Sequence, residues 1–167
     1  MTHHANNAGL ARFSNPINER FFEDYPLGGV FEFGARKVEE HEMIEFANQF
    51  DPQDFHIDPA AARKTVFGGL IASGWHTGSL TMRLYADYYL SKVASLASPG
   101  LDELRWIKPV RPGDTLSVRV TVEEARRSRS KPDRGILRSF IETLNQDRDV
   151  VMSMRAVNLL RCRSEAN

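Results

Sequence analysis

The sequence predicts an α+β domain in which an antiparallel sheet packs against a buried helix. Three observations support this prediction. A strand near the N-terminus is followed by helical segments, the longest of these is apolar over most of its circumference, and four strands then follow in succession. Because a helix that is apolar on nearly all sides is normally enclosed by the protein, we expect the sheet to cover it.

The first elements are predicted from local patterns on either side of the first helix. Residues 30–33 lie between glycines and form a short predicted strand. Residues 39–50 form a predicted helix, because apolar residues recur on one face and three glutamates suit its positive end. Asp51 precedes a proline, which pushes it away from helical angles, so the helix should end there. Asp58 should then cap a short helical turn beginning at Pro59.

The second half of the chain contains the long helix and most of the sheet. The helix is predicted over residues 75–93, and the Ser-Pro-Gly sequence at 98–100 marks a break after it. Strands are predicted over residues 101–107, 115–123, 136–144 and 150–161. Apolar and polar residues alternate strictly between 115 and 123, which is typical of a strand with one buried face.

Length and composition exclude several classes of protein. The 167 residues suffice for one domain with its own core, and the 22 basic and 22 acidic side chains cancel. No global charge therefore attracts nucleic acid or a membrane surface. The single cysteine, Cys162, excludes an intramolecular disulfide and argues against a cysteine-based metal site. Without a long apolar run or an apolar N-terminal leader, the expected protein is soluble and cytoplasmic.

The domain organisation follows from where the periodic patterns begin and end. Residues 1–18 have no period and are expected to form a flexible extension, residues 19–163 a single domain, and residues 164–167 a tail. The basic run at 126–131 lies between two predicted strands. It could attract the phosphates of nucleic acid or of coenzyme A, but a solvated hairpin tip is favoured, because no aromatic residues interleave its charges.

Asp51 and His56 are the candidate catalytic residues. They lie five positions apart, in a segment where two prolines prevent one continuous helix. If both side chains point into one pocket, they can hold a water between an acceptor and a switchable donor, which suits general acid–base chemistry. The structural alternative is that Asp51 caps the following turn and His56 binds a loop carbonyl.

The start of the long helix supplies the second candidate feature. The first backbone N–H groups of a helix lack internal partners, so the N–H of Gly74 can bind a developing oxyanion that glycine allows to approach closely. Its neighbours Ser73 and Trp75 are candidate substrate-binding residues. The alternative is that Gly74 only permits a tight turn or the close packing of helix on sheet.

These motifs resemble those of the MaoC-like dehydratases, the R-specific enoyl-CoA hydratases with a hotdog fold. The family places Asp, a variable residue, Asn, Pro, a variable residue and His in this order, where this chain has Asp51-Pro52-Gln53-Asp54-Phe55-His56. The resemblance spans roughly residues 20–161 and includes the recurrent stretch at 108–116. This chain departs from the pattern at Gln53-Asp54 and at Met82, where some hydratases have a serine.

The resemblance implies a fold and a reaction. The sheet would wrap around the long helix, and the protein would form a homodimer or a higher homo-oligomer. Asp51 and His56 would activate one water for addition across the double bond of a trans-2-enoyl thioester, and the N–H of Gly74 would stabilise the thioester oxygen. The resemblance implies no metal and no redox cofactor. Coenzyme A is carried by the acyl-CoA substrate.

We therefore predict a hydro-lyase that interconverts an enoyl-CoA and a 3-hydroxyacyl-CoA, and two alternatives stay open. A hotdog thioesterase would direct water at the thioester carbon, and a non-catalytic module would bind acyl-CoA without turnover. Acyl chain length and the choice between coenzyme A and an acyl-carrier protein are not readable from the sequence.

Overall fold

The computed structural model describes residues 9–163, and its element order agrees with the prediction. After a 3₁₀ turn at Phe22–Asp24, the elements are β1 (Val30–Lys37), α1 (Glu40–Phe50), α2 (Asp54–Ile57), α3 (Pro59–Ala62), α4 (Gly74–Tyr88), β2 (Ser95–Trp106), β3 (Thr115–Arg127), β4 (Arg134–Leu144) and β5 (Val150–Arg161). As predicted, the side chain of Asp58 accepts hydrogen bonds from the first backbone N–H groups of α3. No helix within residues 9–163 is long and apolar enough to cross a membrane.

The five strands form one antiparallel sheet in the order β1-β3-β4-β5-β2. One face of β3 is buried through Leu116, Val118, Val120 and Val122, as the alternation predicts. Helix α4 crosses this buried face. Thr81 hydrogen-bonds Thr143 of β4, and Tyr85 donates to Asn158 of β5. The α+β class and the hotdog arrangement, a sheet around one long helix, are thus confirmed.

The long helix is shorter and less enclosed than predicted. It ends at Tyr88 rather than near residue 93, because the hydroxyl of Ser91 accepts the backbone N–H groups of Val93 and Ala94 and replaces helical hydrogen bonds. Trp75 and Met82 lie on the exposed side of the helix. The sheet therefore covers only part of the helix surface, and the exposed side also carries the ion pair of Arg83 with Asp87.

Strand β2 begins six residues earlier than predicted. The Ser-Pro-Gly sequence at 98–100 lies inside it instead of ending an element. β2 is an edge strand that pairs only with β5, and its register shifts three times along that pairing. An edge strand tolerates Pro99 because its missing N–H need not face a neighbour.

The part of the predicted extension that the structure describes contacts the domain. The ring of Phe13 stacks on Phe31 with 4.2 Å between centroids, and the guanidinium of Arg20 lies 3.7 Å above it. The N–H of Ala11 also donates to the carbonyl of Val30. The side chain of Phe13 and the backbone of Ala11 thus hold this segment against the domain. Residues 1–8 of the extension and the tail at 164–167 lie outside the described residues.

Candidate active site

The structure brings Asp51 and His56 together. Asp51 is the residue that ends α1, and His56 lies on the short helix α2, after the turn enforced by Pro52. The Nε2 atom of His56 lies 3.3 Å from Oδ2 of Asp51. His56 is only 6% exposed, whereas the side chain of Asp51 is 19% exposed, so solvent reaches the pair from the side of Asp51. The side chain of Asp51 is not used to cap the following turn.

The position of the proton on His56 is fixed by its other ring nitrogen. Nδ1 lies 2.8 Å from the carbonyl oxygen of Ile71, which can only accept a hydrogen bond, so Nδ1 carries a proton. In the neutral ring, Nε2 is then an acceptor that faces a carboxylate. Two acceptors at this distance need a shared proton, from an imidazolium or from a proton donor such as water. The loop-carbonyl alternative for His56 is therefore compatible with acid–base chemistry.

Two hydrogen-bond donors contact the carboxylate of Asp51. The hydroxyl of Ser73 donates to Oδ2 at 2.7 Å, and the amide of Gln53 donates to Oδ1 at 2.7 Å. The hydrogen bond from Ser73 is the main cause that lowers the pKa of Asp51. Gln53 and the nearby ring of His56 act in the same direction, against the opposing effect of burial. Asp51 is therefore held as an ionised carboxylate that accepts hydrogen bonds.

The start of α4 lies against the same pair. Ser73 is fully buried and serves as the N-cap, since its Oγ accepts the N–H of Trp75 at 3.3 Å while donating to Asp51. Its hydroxyl is thus committed to the helix and to the carboxylate. No residue in the described range 9–163 accepts a hydrogen bond from the N–H of Gly74. This N–H remains available to an oxygen of a ligand.

Close packing also requires the glycine at position 74. A Cβ atom there would lie 2.3 to 2.7 Å from the indole of Trp106, which is closer than such atoms approach. The packing explanation and the oxyanion explanation for Gly74 are therefore compatible. The indole belongs to the last residue of β2, so the edge strand meets the helix start at this point.

A cavity of about 350 Å³ opens beside His56. It is lined by aromatic and aliphatic side chains, the start of α4 and the segment after β2: Phe55, Phe67, Ile71, Ala72, Gly74, Thr77, Trp106, Ile107, Lys108, Pro109, Val110 and Val151. Trp75 does not line this cavity. Its side chain lines a second, largely apolar cavity of about 450 Å³ on the exposed side of α4.

The described residues contain no cluster of metal ligands, and the buried His76 has a packing role. Within residues 9–163, no three His, Cys, Asp or Glu side chains converge in a way that could hold a metal ion. His76 is a packed residue whose ring stacks on Phe46 at 5.0 Å, and burial lowers the pKa of its imidazole.

Comparison with known proteins assigns the family. The model of the MaoC-like domain matches residues 24–139. The chain belongs to the MaoC-like family. The uncharacterised protein YdeM of Bacillus subtilis is 32% identical over 124 residues, which are 74% of this chain and 86% of that protein.

Solved structures support the same assignment. A MaoC-like dehydratase from Rhodospirillum rubrum is 41% identical, with a TM-score of 0.80, covering 87% of this chain and 99% of that one. A conserved hypothetical protein from Mycobacterium tuberculosis with a double hotdog fold is 17% identical, with a TM-score of 0.73. That match covers 92% of this chain and 47% of the other, and it supports the fold alone.

Two residues of this MaoC-like site were not predicted from the sequence. Gln53 occupies a position where the family pattern has Asn, and its amide nevertheless reaches Asp51. The family spacing was the available signal, since position 53 lies inside the motif. Trp106 meets Gly74 across 32 positions of sequence, and no local pattern predicts such a contact.

Proposed function

We propose that this MaoC-like protein is a hydro-lyase that reversibly hydrates a trans-2-enoyl-CoA to a 3-hydroxyacyl-CoA. The observation that carries the proposal is the approach of His56 to Asp51 beside a cavity that also contains the start of α4. Membership of the MaoC-like family and the likeness to a dehydratase of 41% identity support the reaction class.

In the forward reaction, a water held between Asp51 and His56 attacks C3 of the enoyl group. Its oxygen forms the new C–O bond, one of its protons passes to the pair, and the double-bond electrons move toward the thioester oxygen. The N–H of Gly74 stabilises this enolate oxygen, as oriented backbone donors do where charge develops. Return of a proton from the pair to C2 completes the hydration, and the reverse steps release water.

This reaction requires no electron acceptor or donor. The addition of water leaves the overall oxidation state of the substrate unchanged, so the residues of the pair and the helix N–H account for each step. Coenzyme A enters and leaves as part of the acyl-CoA substrate.

We also propose that the protein acts as a homodimer joined along β2. The outer edge of β2 has no neighbouring strand within residues 9–163, and Leu101 and Trp106 on this strand are about half exposed. An unpaired edge with exposed apolar side chains is a favourable surface for pairing with a second copy.

The test is an assay of the purified protein with crotonyl-CoA, followed both by enoyl absorbance and by free thiol. Hydration predicts that the absorbance falls while no thiol appears. Release of thiol at the same rate would instead identify a thioesterase. If no substrate is turned over and variants Asp51→Asn and His56→Ala bind acyl-CoA like the wild type, the protein is a binding module.

A further inference from the structure

We infer that Lys108 binds a phosphate group of the pantetheine carrier to which the acyl chain is attached. This inference rests on the proposed hydratase function. It concerns the carrier end of the substrate, on which the acid–base pair does not act, and it starts from the side on which the cavity beside His56 opens to solvent.

The exposed residues of this cavity lie together in one short segment of the chain. Trp106 and Ile107 are each about half exposed, and Lys108 and Pro109 follow them on the surface. Every other described lining residue is buried or only partly exposed, and His56 is among the buried ones. The cavity therefore opens to solvent along residues 106–109.

This opening decides where the carrier leaves the protein. In the proposed reaction the enoyl group lies beside Asp51 and His56, and the thioester oxygen lies at the N–H of Gly74. The pantetheine arm beyond the sulfur is uncharged, so it can pass between apolar side chains. A phosphate at the end of this arm cannot stay in the interior without a partner, because burial of an unpaired charge is costly. We therefore expect it to emerge along residues 106–109.

Lys108 places a cation at this opening. Among the described residues that line the cavity, it is the one with a permanent charge. Its Nζ atom lies 2.8 Å from Oδ2 of Asp149, and both side chains are about half exposed. An ammonium group has three N–H donors, so Nζ can keep this contact and also donate to a phosphate oxygen.

The surrounding backbone holds this ion pair at the opening. The N–H of Lys108 donates to the carbonyl of Val151 at 3.2 Å, and the N–H of Asp149 donates to the side chain of Asn145 at 3.0 Å. Lys108 lies two residues beyond Trp106, where β2 ends. Pairing of β2 with a second copy therefore does not use the backbone of Lys108.

The experiment measures KM and kcat for three thioesters of the crotonyl group: those of coenzyme A, 4′-phosphopantetheine and pantetheine. The first two carriers contain phosphate, and the third contains none. Lys108→Met removes the charge but keeps a long side chain. It should raise KM for both phosphorylated substrates about threefold to tenfold with kcat unchanged, because one partly exposed, charged hydrogen bond is lost from ground state and transition state alike. KM for crotonyl-pantetheine should not change, and Lys108→Arg should keep the wild-type KM values because it retains a phosphate-binding cation.

Lys37→Met is the matched control. Lys37 forms a comparable ion pair, with Nζ 3.2 Å from Oε1 of Glu39, but it does not line the cavity. Its removal should leave KM for all three substrates at the wild-type values. An equal rise of KM in the two methionine variants would overturn the inference, because it would reflect a general loss of positive charge.

The three substrates also distinguish the source of the phosphate. A rise of KM for both phosphorylated thioesters would identify the phosphate that coenzyme A shares with acyl-carrier proteins. A rise for crotonyl-CoA alone would identify the phosphates that only coenzyme A carries. Either result supports the inference.

The remaining outcomes separate this inference from the proposed function. An unchanged KM for crotonyl-CoA in folded Lys108→Met, or an equal rise of KM for crotonyl-pantetheine, overturns the role of Lys108 and leaves the hydratase function intact. If the wild type hydrates none of the three substrates, the hydratase function fails. The affinity for coenzyme A, measured by calorimetry, then decides the role of Lys108, and equal affinities of wild type and Lys108→Met would overturn it.

Discussion

The pKa of Asp51 is lowered mainly by a residue that is distant in the sequence. Ser73 comes 22 positions later and supplies the hydrogen bond that most lowers the pKa of Asp51. The same hydroxyl caps α4, so the helix with the proposed oxyanion donor and the proposed catalytic carboxylate are joined through one buried side chain. A change at Ser73 should therefore alter the chemistry of Asp51 more than substrate binding.

Replacing Ser73 by Ala should shift the acid limb of the pH–rate profile to higher pH. The donor stabilises the charged carboxylate and so lowers its pKa; without the donor the pKa rises, and less of the residue is ionised at a given acidic pH. Measurement of kcat/KM for crotonyl-CoA across pH checks this prediction. The control is Ser79→Ala, because the hydroxyl of Ser79 donates to the carbonyl oxygen of Trp75 within the helix and does not contact Asp51. An acid limb that is the same in both variants would contradict the role given to Ser73.

At the residue level, the sequence predicts side chains better than it predicts their partners. Asp51, His56 and Gly74 could be selected because their residue types and spacing have a chemical meaning. The contacts of Trp106 with Gly74 and of Ser73 with Asp51 depend on how β2 and α4 pack on the rest of the fold. Such contacts are tertiary, and no local pattern contains them.

At the level of elements, the two glycines of α4 behave differently. Gly74 begins the helix under the indole of Trp106, whereas no atom outside the local backbone lies within 4 Å of a Cβ added at Gly78, one turn later. The first glycine is required by packing, and the second leaves open space. This pair offers a comparison within one helix.

Gly74→Ala should lower the free energy of unfolding by about 1–3 kcal/mol, as overpacking of a close contact does. Gly78→Ala should raise it by about 1 kcal/mol, because alanine is the better helix former and meets no obstacle. Urea denaturation of both variants measures the difference. Equal stability of the two variants would show that the indole of Trp106 moves aside freely for a methyl group, and would contradict a packing requirement for glycine at position 74.

Element types were predicted better than element ends. Strict alternation identified β3, and β4 and β5 begin and end within two residues of their predicted limits. The end of α4 was misplaced because Ser91 forms local side-chain hydrogen bonds that compete with the helix. The predicted β2 was too short, because Pro99 and Gly100 indicate a turn in most contexts. The strand accommodates both residues because it lies at the edge of the sheet.

At the level of the whole molecule, the exposed apolar residues of β2 and α4 predict self-association. Leu101→Arg should convert the dimer to a monomer, because it places a charge on the edge strand where two copies would pair. Leu101 is 51% exposed and Leu27, which precedes β1, is 67% exposed, so Leu27→Arg is a matched control that should remain dimeric. Sedimentation velocity measures both. A wild-type protein that sediments as a monomer at micromolar concentration would exclude this mode of assembly.

The class of fold could be predicted because the order of one strand, several helices and four strands is present in the sequence itself. The contacts of Phe13 with Phe31 and Arg20 could not be predicted, because they depend on where the chain before β1 meets the folded domain. The division into two cavities could not be predicted at all, because it depends on the depth left between α4 and β2 after both have packed.

The central claim is that Asp51 and His56 act as one unit on an enoyl thioester. The most direct measurement is kcat/KM for hydration of crotonyl-CoA by wild type, Asp51→Asn, His56→Gln and the double variant, each verified as folded. Each single variant should lose about 100-fold or more, as removal of a general acid–base group does, and the double variant should lose little beyond the weaker single variant. Activity near the wild-type level in either single variant would contradict the account.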